Sequence, residues 1–267
     1  MIPIKRLITA LFLIAITITG ITLGDLLLWL IISIASILCL HEINTMKTIK
    51  SNSITYISSI AILVIFLILL RFPVFHDLWN TSFMVGLFVL TLCLCIIEFI
   101  RKTIFKPKAS WVIGLFNTTI IITTLPYAYI IRNSEFGFEK ILLILLTISI
   151  IDTSAYFTGK IIGRRKLSQL SPNKTIEGLI GGITAGLITG LIGIWVFNLP
   201  YFENTLLIIS ILIIAPLGDL YESMIKRNCN CKDSSNLLPG HGGIFDRIDS
   251  HIFCFPVIYF ISKIISL

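Results

Sequence analysis

The chain has 267 residues, 56% of them hydrophobic and 13% charged, with a mean hydropathy of +0.97. Soluble domains carry about 25% charged residues, and too few are present here to clothe a globule, which excludes the soluble, disordered and collagen-like classes. The 21 Lys and Arg exceed the 14 Asp and Glu by a formal +7; in a membrane protein that excess reports topology and a phosphate-bearing substrate, and no nucleic-acid partner is expected.

A bilayer-spanning helix needs roughly 17–25 mostly apolar residues, because the hydrocarbon core is about 30 Å thick. In chain order, nine runs are candidates, the second of them short: residues 7–23, 26–40, 54–70, 82–100, 110–131, 141–157, 175–197, 205–225 and 251–267. The first follows Lys5 and Arg6 like a signal peptide, but it lacks a small-residue cleavage site and eight further runs follow, so it reads as a membrane helix. The expected fold is all-α: a polytopic integral membrane protein of about nine transmembrane helices, forming a single membrane domain over residues 1–267.

Alternate loops carry most of the positive charge. Lys5, Arg6, Lys47, Lys50, Arg101, Lys102, Lys106 and Lys108 fall on one side, with Lys160, Arg164, Arg165, Lys166, Lys174, Lys226, Arg227, Lys232 and Arg247. Only Arg71, Arg132, Lys140 and Lys263 fall on the other. Seventeen bases against four place the N-terminus in the cytoplasm and the C-terminus outside. Cys39, Cys93, Cys95 and Cys254 sit in apolar runs as small apolar side chains. Cys229 and Cys231 fall in a loop expected to face the reducing cytoplasm, where no disulfide is expected. With His241 they fall short of a four-ligand zinc site.

In the seventh run, Gly178, Gly182, Gly186 and Gly190 recur every four residues and align on one helix face. Such a stripe lets another backbone approach closely, either within the chain or across a homodimer built through membrane helices. Carboxylates inside spans are costly and normally face a cavity, a cation or a basic partner. Asp152 lies late in the sixth run, and Asp219 and Glu222 late in the eighth, all toward the expected cytoplasmic ends. Asp219, Glu222, Ser223 and Lys226 share one helix face by spacing, as do Asp152, Tyr156 and Gly159. Interhelical salt bridges are one reading of these groups, and a metal–phosphate site is the other.

The densest polar stretch runs from Ser223 to Asp249. Lys226, Arg227, Lys232 and Arg247 offer charge and donors to phosphate oxygens. The turn Pro239-Gly240-His241-Gly242-Gly243 exposes backbone N–H groups and permits close approach of a ligand. Asp246 and Asp249, three apart, supply hard oxygen ligands suited to Mg²⁺.

This stretch resembles the signature of the phosphatidate cytidylyltransferases, also called CDP-diacylglycerol synthases. The matching positions are Ser223, Lys226, Arg227, Lys232, Asp233, Pro239, His241, Gly242, Gly243, Asp246, Arg247 and Asp249. A second family segment is similar to Asp152-Thr-Ser-Ala-Tyr156 with Gly159, Gly163 and Arg164, followed by Ser171-Pro-Asn-Lys-Thr-Ile-Glu-Gly178. Asn173 stands where the family often has Lys. The motifs concentrate in residues 152–178 and 215–250, while the first 140 residues match only as hydrophobic runs.

The resemblance implies a Mg²⁺-dependent nucleotidyltransferase using one metal ion or two, with CTP and the membrane lipid phosphatidate as substrates. It would give CDP-diacylglycerol and pyrophosphate for phospholipid synthesis. On this reading Asp219, Asp246, Lys226, His241 and Arg247 are catalytic. Asp219, Asp246, Asp249 and Asp152 are the metal ligands. Lys174, Asn173, Ser171, Ser223, Arg227, Lys232, Gly242, Gly243 and Tyr156 bind substrate. Ser171, Asn173, Lys174 and Thr175 are expected to cap the seventh span and present Lys174 to phosphate. The expected location is the cell (inner) membrane, multi-pass, with the active site facing the cytoplasm.

The alternatives are a secondary transporter or channel, and a polyprenol- or phytol-kinase-like phosphotransferase. A transporter would place its polar groups near the bilayer midplane, often in paired repeats, whereas these gather at one interface without a second copy.

Overall fold

A backbone in hydrocarbon has no water to bond, so its N–H and C=O groups must pair within the segment, which favours the helix. The computed structural model describes residues 4–47, 49, 51–72, 89, 93, 110–168, 171 and 173–265. The expected span 82–100, apart from positions 89 and 93, and the basic cluster of Arg101, Lys102, Lys106 and Lys108 lie outside the described residues.

Ten helices follow one another among the described residues: α1 (Ile4–Leu23), α2 (Asp25–Met46), α3 (Ile54–Leu70), α4 (Ser110–Ile122), α5 (Tyr127–Arg132), α6 (Gly137–Ile162), α7 (Ile176–Val196), α8 (Tyr201–Asn228), α9 (Phe245–Ile252) and α10 (Cys254–Ile265). Arg6–Leu23, Asp25–Met46, Gly137–Ile162, Ile176–Val196, Tyr201–Asn228 and Phe245–Ile265 are long and apolar enough to cross a membrane, and Ile54–Leu70 is a shorter apolar helix. The fold is therefore all-helical and rich in membrane-length segments.

Two expected boundaries differ for identifiable reasons. The run 110–131 is divided into α4 and α5 by a turn at residues 123–126. Pro126 has no N–H to continue a helix, and the Thr123 and Thr124 hydroxyls donate back to the carbonyls of Thr119 and Ile120 at 2.7 and 2.6 Å. Helix α2 continues to Met46, six residues past the expected end at 40, and so takes in Glu42.

The chain forms two compact units, Met1–Tyr129 with Met224–Ile248, and Ile130–Ser223 with Asp249–Leu267. In the first, Cys39, Leu40, Ile43, Leu63, Leu67, Leu70 and Ile121 form a buried core. Two hydrogen bonds cross its interior: Asn117 donates to Asn44 at 2.7 Å, and the Trp29 indole to the Leu67 carbonyl at 2.8 Å. In the second, α6 and α7 pack along the glycine stripe, and Lys140 pairs with Glu203 at 2.8 Å.

Gly178, Gly182, Gly186 and Gly190 are all buried, whereas Ile180, Ile188, Ile192 and Trp195 on the same helix are exposed. A Cβ on Gly182 would stand 2.7 Å from the Ile151 carbonyl oxygen, and one on Gly186 would meet Ile151 and Leu212 at 2.5 and 2.9 Å. The stripe is thus filled within the chain, and a dimer through the same face would compete with these contacts. Gly182→Ala is expected to cost about 1–3 kcal/mol by overpacking, because it strikes backbone. Gly193→Ala meets only the tip of Leu143, at 2.4 Å, which can rotate away. Thermal unfolding in detergent should therefore show a larger loss for Gly182→Ala; equal losses would contradict this packing.

Candidate active site

In the first unit the signature stretch is tied into a closed loop. Helix α8 ends at Asn228; beyond it Asn230 adopts a left-handed φ of 56° and Cys231 N–H returns to the Lys226 carbonyl at 3.0 Å. Further on, Leu238 N–H donates to Gly242 O at 2.8 Å and His241 N–H to Leu238 O at 2.9 Å. Thr9 on α1 donates to the Pro239 carbonyl at 3.2 Å.

Asp246, in the first turn of α9, is the internal anchor. One carboxylate oxygen accepts from Ser234 N–H at 2.9 Å, Ser234 Oγ at 3.0 Å and Gly243 N–H at 2.8 Å. The other accepts from Lys226 Nζ at 3.0 Å, and the two side chains are only 14% and 3% exposed. The paired glycines make room for this. Gly242 has φ +82° and a Cβ there would lie 2.5 Å from Asp246 Oδ2; on Gly243 it would lie 2.0 Å from Ser234 Oγ.

This loop walls a cavity of about 620 Å³, lined by Arg6, Lys232, Asp233, Asn236, His241, Arg247 and the turn at 238–242. Three permanent cations face one carboxylate there, a balance that suits an anion of several charges. His241 is half-buried in the wall, and its Nδ1 has no hydrogen-bond partner among the described residues.

The second unit gathers acids. Asp219 and Glu222 on α8 and Asp249 on α9 each present a carboxylate oxygen within 4.8 Å of the others. Pro216 interrupts the hydrogen bonding of α8 just before them. Gly218 lets the Asp249 carbonyl come so near that a Cβ would meet it at 2.6 Å. Lys174 forms an ion pair with Asp219. Three carboxylates so close repel one another, and the all-oxygen donor set fits a hard divalent cation such as Mg²⁺.

The loop before α7 is fastened from both ends. Thr175 is the N-cap, accepting from Gly178 N–H at 3.1 Å, and Glu177 accepts from the N–H groups of Arg164 and Arg165 at 3.0 and 3.1 Å. Leu167 N–H bonds the Lys174 carbonyl at 2.8 Å.

The expected site residues thus separate. Lys232, His241, Gly242 and Arg247 share the cavity. Asp219 and Asp249 come together with Glu222, while Asp246 is bonded to Lys226 and the loop, and exposed Asp152 on α6 is outside the trio. Gly243 is buried and Ser223 half-buried; Arg227 is exposed and donates to the Cys231 carbonyl at 3.4 Å. Ser171 is half-buried and bonded through its carbonyl to Lys174 N–H, Asn173 is exposed, and exposed Tyr156 packs edge-on against Phe157 at 5.5 Å. Among the described residues, Cys39, Cys93, Cys229, Cys231 and Cys254 form no disulfide. Three groups at these places were not singled out by motif: Arg6, Ser234 and Glu42. The signal for Arg6 is its charge, which serves topology equally well; Glu42 lies past the expected end of the second run and carries no motif signal.

The cytidylyltransferase family matches residues 4–265. Phosphatidate cytidylyltransferase of Bacillus subtilis (strain 168) is 32% identical over 268 residues, covering 98% of each chain. The protein of that name from Staphylococcus saprophyticus is 33% identical over 259 residues, covering 95% of this chain and 96% of the relative. That of Synechocystis reaches 47% identity over 111 residues, 41% of this chain and 38% of its own.

Proposed function

Because this chain belongs to the cytidylyltransferase family, we propose that it transfers CMP from CTP to phosphatidate, giving CDP-diacylglycerol and pyrophosphate. The observation that carries the reading is the cationic cavity walled by the signature loop, in a chain matched along its length by phosphatidate cytidylyltransferases.

The chemistry asks mainly for charge neutralisation and alignment. The phosphate monoester of phosphatidate has a second ionisation near about pH 6, so it is largely a dianion at neutral pH and needs no strong base. The barrier is the approach of that dianion to the α-phosphorus of an anionic triphosphate, with pyrophosphate departing on the far side. Arg6, Lys232 and Arg247 hold the triphosphate, and His241 donates to one of its oxygens. Lys226 and Asp246 keep the loop in register. Lys174, beside Ser171 and Asn173 at the start of α7, offers a cation to the phosphatidate head group. Asp219, Glu222 and Asp249 would hold Mg²⁺, which when bound supplies positive charge to phosphate oxygens.

The seventeen-to-four distribution of bases supports a cytoplasmic site, where CTP is present, in a multi-pass protein of the cell membrane. Acyl chains of phosphatidate then stay in lipid while its head group meets the bases.

Purified protein in detergent, given CTP and phosphatidate, should form CDP-diacylglycerol detectable by mass spectrometry. Folded protein that leaves both substrates unchanged across Mg²⁺ and Mn²⁺ titrations would overturn the proposal. Arg6→Gln should raise the KM for CTP by about tenfold, the value of one charge-assisted hydrogen bond. An unchanged KM, at saturating phosphatidate, would remove Arg6 from the triphosphate site.

A further inference from the structure

We propose that Glu42 is a positioning residue for nucleotide binding: a buried carboxylate of α2 that holds the signature loop in place. This rests on the reading of the cavity as the triphosphate site. Glu42 is 1% exposed, and it does not line the cavity. One of its oxygens accepts from Ser235 Oγ at 2.7 Å and Ile244 N–H at 3.0 Å. The other accepts from Ser234 Oγ at 2.8 Å and Phe245 N–H at 2.8 Å.

The donors explain why a carboxylate is needed. Ile244 and Phe245 stand at the start of α9, where backbone N–H groups have no partner within the helix and the helix dipole favours negative charge. Both are satisfied by Glu42, and the neighbouring Gly243 N–H goes to Asp246. The Ser234 hydroxyl, with one proton, lies within reach of both carboxylates, at 2.8 Å from Glu42 and 3.0 Å from Asp246. A Cβ on Gly243 would lie 2.5 Å from Glu42 Oε2, so the glycine is also what admits Glu42 to the loop. Two acids therefore clamp a loop segment whose other side chains, Lys232, His241 and Arg247, face the cavity. Glutamine keeps one acceptor but turns an amide N–H₂ toward backbone N–H donors, so the loop must shift.

The test compares Glu42→Gln, Ser235→Ala and Ser234→Ala with the unaltered protein, each shown monodisperse in detergent. Glu42→Gln should raise the KM for CTP by about tenfold with a smaller change in the KM for phosphatidate. Ser235→Ala should move it the same way by less, and the two together should act non-additively, since they share one contact. A role in folding alone would lower the yield of folded protein and leave the constants of the folded fraction unaltered. Hydrogen exchange gives a readout independent of turnover: the Ile244 and Phe245 amides should lose protection in Glu42→Gln while α6 and α7 keep theirs. Unaltered exchange at those amides, or an unaltered CTP KM in a folded Glu42→Gln, would overturn the inference. Should that variant fail to fold, an unaltered CTP KM and unaltered exchange in both serine variants would do so. Absence of CDP-diacylglycerol from the unaltered protein would count against the functional reading, while the exchange result would still decide the role of Glu42.

Discussion

Asp246→Asn should reduce CDP-diacylglycerol synthesis by about 100-fold or more, the scale on which a displacement of about 1 Å in a catalytic array acts. The carboxylate receives Ser234 N–H, Gly243 N–H and Lys226 Nζ at 2.8–3.0 Å inside a closed loop. The asparagine amide has one acceptor and no charge. It breaks the ion pair with Lys226, a change that costs about 2–5 kcal/mol when a buried charge pair is broken. The loop that carries Lys232, His241 and Arg247 would then lose its register. Steady-state synthesis by purified variant of verified fold is the measurement; near-normal turnover would contradict the anchoring role.

Removing carboxylates from the second unit should act differently. Asp219→Asn, Glu222→Gln and Asp249→Asn should each raise the Mg²⁺ concentration for half-maximal activity, by on the order of 10–100-fold or more. The three acids converge within 4.8 Å, and Lys174 forms an ion pair with Asp219. Loss of one removes a hard oxygen donor and lowers the negative charge that attracts the cation. Chelation should stop turnover in the unaltered protein and added Mg²⁺ should restore it. Cation titrations of the three variants that superimpose on the unaltered curve would exclude the trio as the metal site.

The contrast between these two acidic groups shows what spacing could and could not tell. The chain of apolar runs located the helices, since each must satisfy its own backbone; α3 begins and ends where the run 54–70 does. The run 110–131 misled because hydropathy does not register that Pro126 lacks a donor. The signature located the loop and its cations, but Asp246 and Asp249 look equivalent when read as two acids three residues apart. Their difference lies in Ser234, Gly243 and Lys226, which only folding brings to Asp246. Glu222 shared a helix face with Asp219 by spacing, yet its meeting with Asp249 depends on the close approach that Gly218 allows. Glu42 was hidden by a boundary. Ending the second run at residue 40 put it in a loop, where a carboxylate needs no explanation, whereas α2 carries it on in helical form to a buried position. The glycine pair was legible as a turn, but its tightness serves Ser234 and Asp246 inside the loop, beyond any service to a ligand.

Transfer of the nucleotide's α-phosphoryl group to the lipid is tested by labelling CTP at one phosphorus at a time. Purified protein is incubated with phosphatidate and either α-³²P or γ-³²P CTP, and lipid is extracted. The α label is expected in the lipid as CDP-diacylglycerol and the γ label in aqueous pyrophosphate. Label from the γ position in the lipid, with none from the α position, would instead identify a kinase-type phosphoryl transfer and contradict α-phosphoryl transfer.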